Sequence, residues 1–267
     1  MLQVDTFDNL AEAARSMTPE SRYLGGGTLV MRAVNYGDQS FRRIVRLRDQ
    51  AALRQIRTEG QRIAIGAGVT MADIIASRDL AFLAPVAQAV GGPAVRNMAT
   101  VGGNLFAPHP YGDLTTALLA LDGMVRMADG SERQLEELLA ARERVNGLVA
   151  SVSVMRPTGD EFRFHKVSRV KPKGVSVMSM AAWLQRSGGR LSAVRVAYGA
   201  MAGTPIRATA VEQALDGASL DAGGIRRALD AATQGLEPPD DALASSWYRR
   251  EVAPVHLKRL LLREGPR

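Results

Sequence analysis

The chain has 267 residues, 46% hydrophobic and 23% charged, which excludes wholesale disorder and fibrous repeats and leaves one large domain or two or three small ones. No apolar run approaches the roughly 18–20 residues of a membrane helix. The opening Met1-Leu2-Gln3-Val4-Asp5 lacks the basic-then-apolar pattern of a signal peptide, so a soluble, cytoplasmic protein is expected. The absence of cysteine excludes disulfides, thiolate zinc sites, a cysteine nucleophile and cysteine-ligated iron–sulfur clusters. His109, His165 and His256 are the three histidines, with no metal-ligand spacing, so any redox centre must be an organic cofactor.

The net charge of +7 is concentrated. Residues 156–173 and 245–267 each carry six basic and two acidic side chains, and all but four of the 34 basic residues are Arg, the exceptions being Lys166, Lys171, Lys173 and Lys258. Such segments form either a solvated face or a surface for an anionic cofactor or partner. Nucleic acid recognition would call for interleaved aromatics or a recognisable module, and neither is present.

In chain order, Thr6-Phe7-Asp8 before Leu10, Ala11, Ala13 and Ala14 predicts a capped helix ending before Pro19. Residues 22–24 read as a strand, followed by three glycines, a helix over 28–35 and a strand over 43–47. A second unit begins with a strand over 62–66 and a helix over 70–77. Helical stretches near 80–90 and 113–122 flank a glycine-rich loop at 100–104, and strands over 124–128 and 147–155 close this part. From about 161 the texture changes. Extended runs over 161–169, 175–186 and 190–199 alternate β-formers with polar residues, as in an antiparallel sheet, and helices near 208–216, 221–234 and 245–263 follow. Strands followed by helices predict a separate α+β domain, with residues 156–160 as the linker.

Gly25-Gly26-Gly27-Thr28 lies between a strand and a helix, where missing Cβ atoms let the backbone approach a ligand and point successive N–H groups at a phosphate. Thr100-Val101-Gly102-Gly103-Asn104 repeats the pattern, with Arg96 and Asn97 before it and Asp113 after it. Two such loops suit a diphosphate; a pair of tight turns is the plainer alternative. Gly66-Ala67-Gly68-Val69-Thr70-Met71 fails as a dinucleotide fingerprint, because Met71 takes the third glycine's place and Val86 stands where a ribose-binding acid is needed.

Taken in order, Leu24-Gly25-Gly26-Gly27-Thr28-Leu29-Val30, Ile65-Gly66-Ala67-Gly68-Val69-Thr70, Gly92-Pro93-Ala94-Val95-Arg96-Asn97-Met98-Ala99-Thr100-Val101-Gly102-Gly103-Asn104 and Asp113-Leu114 resemble the FAD-binding subunit of the molybdenum hydroxylases, the family of xanthine, carbon monoxide and related aldehyde and N-heterocycle dehydrogenases. The resemblance continues through Phe164-x-Lys166-x-x-Arg169, Tyr198-Gly199-Ala200, Pro205-x-Arg207-Ala208 and Tyr248-Arg249-Arg250. It implies an α+β protein: a two-part FAD-binding domain of the vanillyl-alcohol-oxidase/PCMH type over 1–158 (subdomains about 1–55 and 56–158), then a C-terminal α+β domain over 159–267 with an antiparallel sheet and helices. It also implies that Leu24, Gly25, Gly26, Gly27, Thr28, Leu29 and Val30, with Thr100, Val101, Gly102, Gly103 and Asn104, clamp the FAD pyrophosphate, Arg96 and Asn97 adjoining them. Asp113 would hold the cofactor's polar part, and Val149 and Lys166 would lie close to the flavin. The sequence departs from the family pattern at Leu29, where bacterial subunits commonly have Asp, and at Lys173-Gly174, where an Asn-Asp or Asp-Asp pair is usual.

Each residue has a plainer reading. Asp113 would suit any helix N-terminus. Lys166 could be a solvated lysine, although a cation near the flavin pyrimidine would stabilise the anionic reduced form. His109 and Tyr111, in Pro108-His109-Pro110-Tyr111, read as a proline-stiffened loop, Trp247-Tyr248 as packing for the last helix, and His165 and His256 as surface residues. The expected function is a non-covalent FAD subunit that takes electrons from iron–sulfur clusters in a partner and passes them to NAD or another acceptor, with the molybdenum cofactor in a further subunit. The rivals are a self-contained flavin oxidase and a non-catalytic nucleotide-binding protein. No protein metal ligands, nucleic acid partner or membrane partner are expected.

Overall fold

The computed structural model describes residues 2–144, 147–170 and 174–264, and the chain divides into two compact units. The first unit runs to Ala107 and resumes over Gly123–Met155; the second takes Pro108–Asp122 and the chain from Arg156 onward. Lys171 and Lys173 lie outside the described residues.

The first unit opens with β1 (Gln3–Phe7), α1 (Leu10–Arg15), β2 (Ser21–Tyr23), α2 (Val30–Asn35) and β3 (Arg43–Leu47). Thr6 and Phe7, expected to lead into a helix, instead end a strand, and Asn9 caps α1 by accepting from the Glu12 N–H at 2.9 Å. The three strands form a parallel sheet in the order β1-β3-β2. Val45 and Leu47 of its central strand pack with Ala13, Leu53 and Leu148.

There follow β4 (Ile56–Glu59), β5 (Arg62–Gly66), α3 (Met71–Ala76), α4 (Ala84–Gln88), α5 (Pro93–Arg96) and α6 (Val101–Leu105). Thr70 and Asp73 form a reciprocal capping box that starts α3. The chain leaves this unit for α7 (Asp113–Ala120) and returns for β6 (Met124–Met127), β7 (Glu132–Gln134), α8 (Leu135–Ala140) and β8 (Val149–Met155). A five-stranded antiparallel sheet results, ordered β4-β5-β8-β6-β7.

The second unit carries β9 (Phe162–Ser168), β10 (Ser176–Trp183), the small hairpin β11 (Arg186–Ser187) and β12 (Arg190–Leu191), β13 (Arg195–Gly199) and β14 (Ile206–Arg207). Then come α9 (Thr209–Leu215), α10 (Arg226–Asp230) and α11 (Ser246–Leu262). Its main sheet is antiparallel, ordered β14-β13-β10-β9. Every residue of β10 is buried, because both faces of the sheet are covered. Met178, Met180 and Ala182 join the core with α9–α11, while Ser179 lies 3.4 Å from Thr116 of α7. The alternation in this strand therefore separates two buried faces rather than core from solvent. Among the described residues, no helix is long and apolar enough to cross a membrane.

Candidate functional site

In the first unit the two glycine segments meet. A Cβ on Gly26 would stand 1.5 Å from the Met98 carbonyl oxygen, so only glycine allows the main chains this approach. A Cβ on Gly25 would come within 3.0 Å of the Thr100 hydroxyl oxygen. The N–H groups of Gly25, Gly26, Gly27, Thr28, Leu29 and Val30 have no protein acceptor among the described residues, and all six residues are only half-buried. A run of free backbone donors beside a close main-chain contact is the chemistry an anionic diphosphate requires. α2 is six residues long and has no side-chain N-cap bond.

The second glycine segment differs from the expected loop: it is the short helix α6. The Thr100 hydroxyl caps it by accepting from the Gly103 N–H at 3.1 Å. Val101 and Gly102 donate to the Val69 and Ala67 carbonyls, both at 2.8 Å, and Asn104 donates to Thr100 at 3.0 Å. These four N–H groups are thus engaged inside the protein, so the donors of this half of the site lie on the first loop. What Gly103 supplies is space, since a Cβ there would meet only the Thr100 hydroxyl, at 3.1 Å.

Around these segments, Gly66-Ala67-Gly68 acts as scaffold. A Cβ on Gly66 would fall 2.0 Å from the Leu53 carbonyl oxygen, and Ala67 N–H donates to Ala150, the neighbour of buried Val149, at 2.9 Å. Arg96 turns back to the carbonyls of Gln88 (3.2 Å) and Gly91 (2.6 Å), which fixes the turn before α5. Asn97 and Met98 are exposed, Met98 by 54%. Tyr23, whose ring borders Gly25, keeps a buried hydroxyl with no partner among the described residues, and burial pushes it up to about 12.

Asp113 and Lys166 come together in the second unit. The Lys166 ammonium donates to Asp113 Oδ2 at 2.8 Å, and the two side chains are 11% and 9% exposed. Lys166 is therefore one half of a buried ion pair rather than a lone cation or a solvated lysine. Ser176, which no motif singles out, donates to Asp113 Oδ1 at 2.6 Å. His109 Nε2 lies 2.6 Å from Asp241 Oδ2. Burial alone would raise the Asp241 carboxyl; bonds from His109, the Ala244 and Leu243 N–H groups and Arg249 outweigh it and hold the group well below the usual carboxylate range. One further expectation is corrected: Trp247 and Tyr248 are exposed, by 69% and 42%, rather than packed. His165 and His256 are half-buried and stack at 5.1 Å with their ring nitrogens 3.0 Å apart.

Residues 1–154 match the family described as FAD binding domain in molybdopterin dehydrogenase, and residues 163–263 match the CO dehydrogenase flavoprotein C-terminal domain. The carbon monoxide dehydrogenase medium chain of Afipia carboxidovorans is 27% identical over 277 aligned positions, covering 97% of this chain and 95% of that protein. The xanthine dehydrogenase FAD-binding subunit of Escherichia coli O157:H7 is 26% identical, with 91% of this chain and 88% of that protein covered. Reconstituted CO dehydrogenase from Oligotropha carboxidovorans shares the fold at TM-score 0.88 and 23% identity, over 98% of this chain and 96% of that chain. Quinoline 2-oxidoreductase from Pseudomonas putida 86 does so at 0.82 and 23%, with the same coverage. With the glycine segments in contact and both parts of the chain matched, this protein belongs to the FAD-binding medium subunits of the molybdenum hydroxylases, a family of oxidoreductases.

Proposed function

We propose that this chain is the electron-collecting subunit of a cytoplasmic molybdenum hydroxylase complex. It binds FAD without a covalent link, takes electrons from iron–sulfur clusters of one partner subunit and passes them to NAD or another acceptor. The molybdenum cofactor lies in another subunit. When bound, FAD supplies a carrier that accepts two electrons and releases them as a pair or singly. The reading extends to a two-part, PCMH-type cofactor domain ending near residue 158.

The observation that carries the proposal is the row of free N–H groups from Gly25 to Val30 beside Thr100. In this reading that row binds the pyrophosphate, with the Thr100 hydroxyl and the space at Gly103 bordering it, and Val149 lies near the flavin. Asp113, held by Lys166 and Ser176, takes the cofactor's polar part. The division of labour is supported by composition, since a chain without cysteine offers no thiolate to an iron–sulfur cluster.

The test is the flavin itself. The purified chain, reconstituted with FAD, should hold one per chain and release all of it to the supernatant on acid precipitation. No flavin bound would overturn the proposal, and flavin retained in the pellet would overturn its non-covalent form.

A further inference from the structure

The carboxylate of Asp113 is constrained from two directions, and both constraints lead to Arg249. Asp113 is the first residue of α7 and follows Gly112, whose φ of 112° is open to glycine and strained for other residues. The segment that delivers it, 108–112, is tied down at His109 by the 2.6 Å contact with Asp241. His109 Nδ1 is buried with no partner among the described residues, as expected if Nε2 carries the proton and donates to the carboxylate. Asp241 in turn receives the Leu243 and Ala244 N–H groups (2.8 and 3.0 Å) and Arg249 Nη2 at 2.7 Å.

Arg249 is completely buried, and a guanidinium at that depth must be met on every side. Beyond Asp241 it donates to the Ala244 carbonyl (2.9 Å), to the Pro239 carbonyl, and through Nε to the Val177 carbonyl at 2.9 Å. Val177 is the extra residue of a β-bulge, where the register of β10 against β9 shifts between Ser176 and Met178. A bulge re-aims its neighbouring side chains. The neighbour here is Ser176, which donates to Asp113 Oδ1 at 2.6 Å. A single guanidinium thus holds the bulge that aims a donor at Asp113 and, through Asp241 and His109, the segment that delivers Asp113.

We propose that Arg249, Asp241 and His109 are positioning residues that clamp the Asp113 carboxylate in the geometry needed to hold the polar part of the flavin. This rests on the reading of Asp113 as a flavin ligand. None of the three need touch the cofactor; each acts by removing freedom from a residue that does.

The experiment uses the full-length chain, first free of flavin and then titrated with FAD. Amide hydrogen exchange over 109–116 in the flavin-free protein reports the clamp directly. FAD affinity from flavin fluorescence, and the midpoint potential of the bound flavin, report its consequence. His109→Phe removes the link to Asp241, and His109→Gln restores a donor near the same position. Expected results are faster exchange over 109–116 and roughly tenfold weaker FAD binding in His109→Phe, the worth of a weakened charge-assisted hydrogen bond. Both should return most of the way in His109→Gln. Asp241→Asn should resemble His109→Phe and shift the flavin potential.

Arg249→Lys, gentler than truncation, should loosen 109–116 and the Ser176 region together. If it fails to fold, the His109 pair still decides the question. Unchanged exchange and unchanged affinity in His109→Phe overturn the clamp. Asp113→Asn separates the two claims: if it binds FAD as tightly as the parent, the ligand reading of Asp113 falls, whereas weakened binding there beside normal His109→Phe binding overturns the clamp alone.

Discussion

Gly26 and Gly103 differ in what a side chain would strike, and the difference makes two distinct predictions. At Gly26 the first added carbon meets main chain, 1.5 Å from the Met98 carbonyl oxygen, so one of the two segments must move. Gly26→Ala should destabilise the first unit by about 1–3 kcal/mol, as overpacking does, and reduce flavin binding with it. At Gly103 the added carbon meets only the Thr100 hydroxyl. Gly103→Val should therefore leave the thermal midpoint close to the parent's while sharply lowering bound FAD. Full flavin content in that variant would assign the segment to helix-building only. Lys166 calls for a different expectation from the one its sequence context favoured. Its ammonium is matched by Asp113, so Lys166→Met strands a buried carboxylate whose other bond is to Ser176. Breaking such a pair costs about 3–5 kcal/mol. The melting temperature should fall more clearly than the flavin potential, and the double variant Lys166→Met with Asp113→Leu should recover part of the loss. A potential shift without destabilisation would favour the lone-cation role.

At the scale of elements, the strands legible in the sequence are those with a buried face. β3, with Val45 and Leu47 on one buried face and Ile44 buried on the other, and β5, with Ile63 and Ile65 inward, fall where the pattern predicts them. β1 and β4 do not show in the pattern. They are edge strands of their sheets, most of β4 is exposed, and Val4 of β1 is 53% exposed, so no alternation marks them. α6 was hidden for the opposite reason. Two glycines in five residues argue against a helix, and this one forms because Thr100 caps it and residues 67–69 accept its first N–H groups. For the site, the glycine segments announced themselves by composition. The Ser176 bond to Asp113 spans 63 positions and the Arg249 bond to Val177 spans 72, and a serine in a strand or an arginine in a basic helix carries no local sign of either. The Asp241 contacts set an acid limit. The folded group titrates below the unfolded value of about 3.9, so these bonds contribute fully above roughly pH 5 and are lost as pH falls through the folded value. Thermal melts between about pH 6 and pH 2 should show a decline in the parent that is shallower in Asp241→Asn. Parallel curves would mean the acid sensitivity lies elsewhere.

At the scale of the whole molecule, charge and composition bear on how the chain works. A flavin that passes electrons onward must first receive them, and without cysteine this sequence has no thiolate ligands for a cluster of its own. The net charge of +7 resides largely in 156–173 and 245–267. Lys166 and Arg249 are buried and paired within the chain, whereas exposed Arg156, Arg169 and Arg250 would meet an acidic partner surface, where complementary charge speeds and orients encounter. Association with an iron–sulfur subunit and a molybdenum subunit should accordingly weaken as salt rises from about 0.05 to 0.5 M, since exposed charges are screened over a Debye length that shrinks to a few ångströms. Charge-reversing Arg→Glu changes at exposed positions of these segments should slow association more than they speed dissociation. Alone, the chain should bind FAD and reduce artificial electron acceptors slowly at most, yet oxidise no aldehyde or N-heterocycle. Turnover of such a substrate by the isolated chain at ordinary enzymatic rates, about 1–1000 per second, would replace the subunit with a self-contained flavin oxidase. Activity that emerges only when all three subunits are mixed, and that salt suppresses in step with assembly, is the expected outcome.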